Sequence, residues 1–172
     1  MEQERRKNTL GERFLSFILS QENYCIPIGK IREIMEMTTI TYLPHTPAFI
    51  KGIINLRGKM IPIIDLRTKF YMAALEYTDR TCIIVVDIST AAEQALIGIV
   101  VDSIQEVVSI PADKISQVAY VNARIQSDYI KGIAESPAGI HVILDIDRIL
   151  SLEEFKDLRS VSAPAGNPKE IS

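Results

Sequence analysis

The chain has no tryptophan, only two cysteines and two histidines among 172 residues, and no apolar run approaching the length that spans a bilayer. Each scarcity removes a class of protein. Cys25 and Cys82 sit in strand-like apolar contexts without CxxC spacing, so they read as two buried thiols acting as small hydrophobes. His45 lies between Pro44 and Pro47, and His141 lies in a strand; neither adjoins a nucleophile in sequence. Two histidines and scattered acids give no metal-ligand spacing. No glycine-rich phosphate loop opens a helix, since Gly52 and Gly58 flank a strand instead. Positive charge is short as well: 19 Lys and Arg against 22 Asp and Glu leave a net charge of -3 and a pI of about 5.5. An acidic chain without aromatic and basic residues interleaved is a poor nucleic-acid binder. The charged start, Met1-Glu-Gln-Glu-Arg-Arg-Lys, precedes no long apolar run, so no signal peptide is expected and a cytoplasmic location follows by elimination.

What is present is aliphatic. Hydrophobic residues make up 47% of the chain and mean hydropathy is +0.14, enough for a substantial core. The organising stretch is residues 52–66, where two runs of Ile and Leu flank Arg57-Gly58-Lys59. Gly58 supplies a hairpin turn, Asn55 sits beside its tip and Asp65 closes the second strand. Pro62 cannot donate to a ladder and predicts an edge strand or a bulge. Upstream, residues 14–20 and 24–28 read as strands joined by a turn at Gln21-Glu22-Asn23. Residues 30–34 read as a short helix-like turn, 35–42 as a strand rich in Thr and Ile, and 48–51 and 67–70 as single helical turns. Residues 71–80 connect without pattern.

The layout then repeats. Residues 81–88 and 95–101 read as a second pair of strands around a loop at 89–94. Residues 26–34 align with 99–107, and Phe49-Ile-Lys-Gly-Ile aligns with Tyr129-Ile-Lys-Gly-Ile. Without a gap from there, residues 60–66 fall on 140–146; only the middle loop, 111–128, is longer in the second copy. Short strands broken by Gly, Pro and Asn at this spacing predict an all-β protein of two five-stranded barrels from an internal duplication. The expected bounds are a flexible segment at 1–13, a domain at 14–158 with barrel subdomains near 14–80 and 81–150, and a loose tail at 159–172. Units so small bury a modest fraction of their surface, so the two are expected to share a core. Residues 146–159 have a helical pattern, with Leu150, Leu152, Phe155 and Leu158 facing the barrels.

Positions shared by both copies are explained most simply by the shared fold. Gly52 and Gly132 need a backbone state or close approach that glycine tolerates. Asp65 and Asp145 read as strand-end or cap residues, and Glu33 matches Glu106. Positions that differ are better functional candidates: Arg57 falls on Pro137, Asn55 on Glu135 and Lys59 on Gly139. The basic tip belongs to the first copy alone, although composition by itself favours a solvated turn residue for Arg57.

Residues 46–52 with Asn55-Leu-Arg-Gly-Lys-Met-Ile-Pro-Ile-Ile-Asp-Leu-Arg closely resemble the signature of the CheW family of bacterial chemotaxis coupling proteins. Gly98-Ile-Val-Val-Asp and Asp128-Tyr-Ile-Lys-Gly-Ile resemble two further motifs of that family, and the likeness runs from about residue 14 to residue 158. The resemblance implies intertwined SH3-like barrels and a non-enzymatic adaptor without cofactor or metal. It implies two partners: a CheA-type histidine kinase, met through its own CheW-like regulatory domain, and the cytoplasmic tip of chemoreceptors (methyl-accepting chemotaxis proteins). Such a protein is cytoplasmic, recruited to receptor arrays at the inner membrane without inserting into it. Carried over by position, the receptor-facing groove would include Glu33, Arg57, Cys82, Ile83 and Gly98, with Ile28 and Ile31 completing an apolar trough. Gly98 would let a helix approach the backbone, and Glu33 would hold Arg57 in place. Pro27 and Gly29 before Glu33, the 89–94 loop and Cys82 in place of a β-branched aliphatic depart from the family pattern. The alternatives are the same adaptor role in pilus motility or surface sensing, and, from another class, a small-barrel enzyme using Cys25 or Cys82.

Overall fold

The computed structural model describes residues 11–90, 93–117 and 127–162. Within them the strands are β1 (Glu12–Leu19), β2 (Glu22–Pro27), β3 (Ile31–Glu36), β4 (Ile50–Leu56), β5 (Lys59–Asp65), β6 (Cys82–Ser89), β7 (Gln94–Val101), β8 (Ser103–Ile110), β9 (Ile115–Ser116), β10 (Ile130–Ser136) and β11 (Gly139–Leu144). Two α-helices are described, α1 (Leu66–Lys69) and α2 (Leu152–Ser162).

The strands form two sheets, ordered β8-β1-β2-β11-β10-β9 and β3-β6-β7-β5-β4. Under the internal duplication β1, β2, β3, β4 and β5 correspond to β6, β7, β8, β10 and β11. Replacing each strand by its counterpart turns one sheet order into the other, apart from the two-residue β9. Each barrel therefore takes its first hairpin from one copy and its remaining three strands from the other. This corrects the division of the chain near residue 80: the sheets exchange hairpins across it. The cause lies in the connections. Only Ile28–Lys30, a 3-10 turn, separates β2 from β3, and only Asp102 separates β7 from β8. Neither is long enough to carry the chain back over its own hairpin, so each third strand continues into the other barrel.

The duplication extends to irregularities. The β4–β5 pairing slips between Ile50 and Gly52, and the β10–β11 pairing slips between Ile130 and Gly132. Gly52 lies at φ 145, where a Cβ would strike the Thr41 carbonyl. A Cβ on Gly132 would meet Ile115 Cγ2 at 2.7 Å. Asp65 accepts from the Arg67 N–H at 2.9 Å and Asp145 from the Asp147 N–H at 3.2 Å, so both are cap residues as their position implied.

Three apolar clusters result. Ile83, Val85, Ile61 and Ile63 fill one barrel, and Phe14, Cys25, Ala134 and Ile143 fill the other. The largest lies between them, drawing Leu15, Phe17 and Leu144 from one sheet and Ile84, Val86 and Ile99 from the other. Strand β6 sends alternate residues into both, which is why residues 82–86 are continuously apolar rather than alternating. A ladder of rings, Phe17 on Tyr24, Tyr24 on Phe70 and Phe70 on Tyr129, crosses the junction with centroids 6.2, 6.0 and 4.8 Å apart.

Several local expectations are corrected. Of residues 30–34 only Lys30 is helical, ending the 3-10 turn: β3 alternates half-buried and exposed residues from Ile31 to Glu36, and beyond it only Thr41 makes a bridge, to Ile53. Ala48 and Phe49 form a turn closed by the Ile50 N–H donating to the Pro47 carbonyl at 3.0 Å, not a helix. The first hairpin turns at Ser20 and Gln21, with φ of 51 and 71. Pro62 is not on an edge strand, because β5 lies between β4 and β7; its parallel pairing with β7 starts only at Ile63, leaving Pro62 no donor to supply on that side. The C-terminal helical pattern splits into a 3-10 turn, Ile146–Arg148, and α2. Ser151 and Glu154 form a capping box on α2: the Glu154 N–H donates to Ser151 Oγ at 3.1 Å, and the Ser151 N–H to Glu154 Oε1 at 2.8 Å. Leu150, Phe155 and Leu158 are buried, but Leu152 is exposed. Of the ends expected to be flexible, 1–13 and 159–172, residues 1–10 and 163–172 lie outside the described residues, whereas Glu12 and Arg13 belong to β1 and residues 159–162 to α2.

Candidate functional site

The hairpin β4–β5 turns on two residues, Arg57 and Gly58, with φ of 52 and 86. Both lie in the left-handed region that a two-residue hairpin loop requires. Asn55 Oδ1 accepts from the Gly58 N–H at 2.8 Å, fastening the turn from its own strand. The Arg57 side chain is 76% exposed and folds back onto Glu33, which is 28% exposed. Nη1 donates to Glu33 Oε2 at 2.9 Å and Nη2 to Oε1 at 3.0 Å, a two-bond fork. Glu33 is aimed there by a slip in the β3–β6 register between Ile31 and Glu33. The expectation that Glu33 would hold Arg57 is met by this geometry.

The fork rims a cleft of about 720 Å³. Its apolar lining is Leu56, Met60, Ile61, Val85, Ala95 and Leu96, and its rim carries Lys59 and an Arg32–Asp87 ion pair at 2.7 Å. Of the residues the sequence placed here, only Arg57 and Glu33 border this cleft. Ile83 is fully buried inside the barrel and is not among the residues that line the cleft. Gly98 faces the same interior, where a Cβ would meet Ile63 Cδ1 at 2.5 Å and Ile83 Cγ2 at 2.9 Å; its missing side chain makes room for the core, not for a visiting helix. Cys82 opens β6 at the other end, opposite Val101 and Glu36, and its thiol donates to the Arg80 carbonyl at 3.2 Å. Ile28 and Ile31 are half-buried against the cluster between the barrels. The lining that sequence reasoning missed had one readable signal: Leu56 and Met60 flank Arg57-Gly58-Lys59 directly.

The second copy keeps the frame of this cleft but not its lining. Ser16 pairs with Cys25 where Val85 pairs with Gly98, and His141 and Ser136 take the places of Ile61 and Leu56. His141 is fully buried, with Ser136 Oγ 2.8 Å from Nε2 and Ser16 Oγ 3.4 Å from Nδ1. Burial pushes the imidazole pKa below its usual 6.5, with nearby Glu106 partly opposing. Two hydroxyls, Ser16 and the half-buried Ser136, around a buried ring make a structural polar chain, and among the described residues no carboxylate bonds the ring to orient it as a base. The cysteines carry no activation either. Cys25 is fully buried with its pKa pushed up to about 12, mainly by burial and secondarily by Glu12. Burial also raises Cys82, with Glu36 adding to it. Among the described residues no helix is long and apolar enough to cross a membrane.

The CheW-like domain family matches residues 13–154. The chemotaxis protein CheW of Klebsiella aerogenes is 37% identical over 147 residues, covering 86% of this chain and 86% of that protein. The chemotaxis protein CheW of Helicobacter pylori is 31% identical over 137 residues, covering 80% of each. Among solved structures, the scaffolding protein TtCheW from Thermoanaerobacter tengcongensis superposes with a TM-score of 0.75 at 30% identity, covering 84% of this chain and 95% of that one. The chain therefore belongs to the CheW-like family as a chemotaxis adaptor, not an enzyme.

Proposed function

We propose that the chain couples chemoreceptors to a CheA-type histidine kinase in a signalling array, and that the cleft beside Arg57 faces the receptor tip. The observation that carries this reading is the Arg57–Glu33 fork over an apolar floor, present in one copy and absent from the other. A helical hairpin tip presents apolar residues in a row with a few charges to fix register, and this cleft offers the complement of both. Arg57 has its planar donors exposed, so a partner's carboxylate or carbonyl can share them with Glu33. The kinase is met by barrel-to-barrel docking, for which sheet edges at β3, β4 and β8 offer backbone groups. The adaptor is cytoplasmic and held at the inner membrane by its partners. It acts geometrically, fixing receptor and kinase so that receptor conformation shifts kinase populations. Single contacts are modest and the array multiplies them.

Arg57→Ala tests the assignment. Binding of a receptor cytoplasmic fragment is expected to weaken about tenfold, ~1.4 kcal/mol, while kinase binding and the thermal melt stay unchanged. Unchanged receptor binding, or loss of the fold, contradicts the role given to this residue.

A further inference from the structure

The hairpin exchange creates two equivalent junctions where one copy touches the other, and their charges are reversed. At the first, Arg67 Nη1 donates to Asp102 Oδ2 at 2.8 Å, and the Ser20 N–H donates to the same oxygen at 2.9 Å. At the second, Lys30 Nζ donates to Asp147 Oδ1 at 2.9 Å, and the Ser89 N–H donates to that oxygen at 2.8 Å. The parts correspond. Arg67 and Asp147 each sit two residues past the capping aspartate, donating a backbone N–H to Asp65 and Asp145 respectively. Asp102 and Lys30 stand in the linkers that carry the chain between barrels, one position out of register in the aligned copies, while Ser20 follows β1 and its counterpart Ser89 ends β6. In the first junction the cation lies after the last strand and the acid in the linker. In the second, the acid lies after the last strand and the cation in the linker.

We infer that this reversal is an address, directing each copy of the duplicated unit to pair with its complement in the same chain and not with the same unit of another molecule. Because the two units share one fold, a first unit can offer its hairpin to the first unit of a second molecule. That pairing sets Arg67 of one molecule against Lys30 of the other and leaves the Ser20 N–H without a carboxylate. Pairing two second units sets Asp147 against Asp102, two carboxylates sharing one site. Both like-with-like pairings carry like charges at a partly buried junction, whereas pairing a first unit with a second matches a cation with an acid twice. The address bars like-with-like pairing, and the tether between the two units makes the complement in the same chain the favoured partner.

Refolding of the full chain from urea at low and high protein concentration, followed by size-exclusion chromatography with light scattering, reads this directly. The parent is expected to return as monomer at both concentrations. The double variant Arg67→Asp/Asp102→Lys keeps an opposite-charge pair within the chain but makes both mistaken pairings attractive, and is expected to raise the oligomer fraction several-fold at high concentration. The quadruple variant, adding Lys30→Asp and Asp147→Lys, restores like charges to the mistaken pairings and should return the protein to monomer. Lys30→Asp/Asp147→Lys alone provides an independent double variant should the first fail to fold. Equal oligomer fractions in parent and double variants, or no rescue in the quadruple variant, overturns the inference.

Discussion

Arg57 stands on a two-residue turn with its guanidinium held by both oxygens of Glu33. An exposed pair of this kind contributes roughly 0.2–1 kcal/mol to stability, so its consequence is aim rather than strength. Asn55 sets that aim by fastening the turn; Asn55→Ala should weaken receptor-fragment binding severalfold, and Asn55→Asp, which keeps the accepting oxygen, should largely restore it. His141 carries a different prediction. Its folded pKa lies below the ordinary 6.5, because burial disfavours the charged ring and the Glu106 charge only partly compensates. The contribution of the neutral ring is thus fully present above about pH 6.5 and is lost as pH falls through the lower, folded value. Thermal melts should show stability declining on acidification below pH 6.5, and His141→Leu should flatten that part of the profile. An unchanged profile would count against the buried-ring account. Arg57 was legible because the two copies differ there, whereas Glu33, matched by Glu106, became a candidate only through the family resemblance. Ile83 and Gly98 were misplaced because an apolar run buried on both faces gives no alternation to say which side a residue takes.

Elements show the same division between readable and unreadable. The β4–β5 hairpin, the cap aspartates and the duplicated glycines followed from turn chemistry and internal comparison. Strand β3 did not, since half-buried residues alternating with Arg32, Ile34 and Glu36 look the same as one face of a short helix over so few residues. Nor did the central place of β5, because Pro62 signals only that one donor is missing, and here the neighbouring strand begins a residue later. At the matched bulges the structure predicts unequal costs. Gly52→Ala combines a positive φ with a collision against backbone and should cost more than about 2 kcal/mol. Gly132→Ala meets the Ile115 methyl and the Ser116 carbonyl at 2.7 and 2.9 Å without a positive φ and should cost less. Urea midpoints of the two variants decide the order, and equal losses would contradict it.

For the whole molecule, the internal repeat displayed two copies, while their intertwining was implied only by the family resemblance, because strands of the same pattern can serve either barrel. Coordinates were needed to see that the largest cluster is the one between the barrels. That arrangement predicts that residues 14–77 expressed alone give no cooperative melt, since their hairpin and their other three strands belong to different barrels. A sharp transition from that fragment would contradict the exchange as the source of stability. The central claim is that the protein's work is holding two partners in a fixed relation. The most direct measurement is kinase phosphorylation on vesicles bearing receptor, with and without the full chain. Receptor control of the kinase is expected only when the chain is present, and is expected to fall sharply with Arg57→Ala; control that arises equally without the chain would contradict the account.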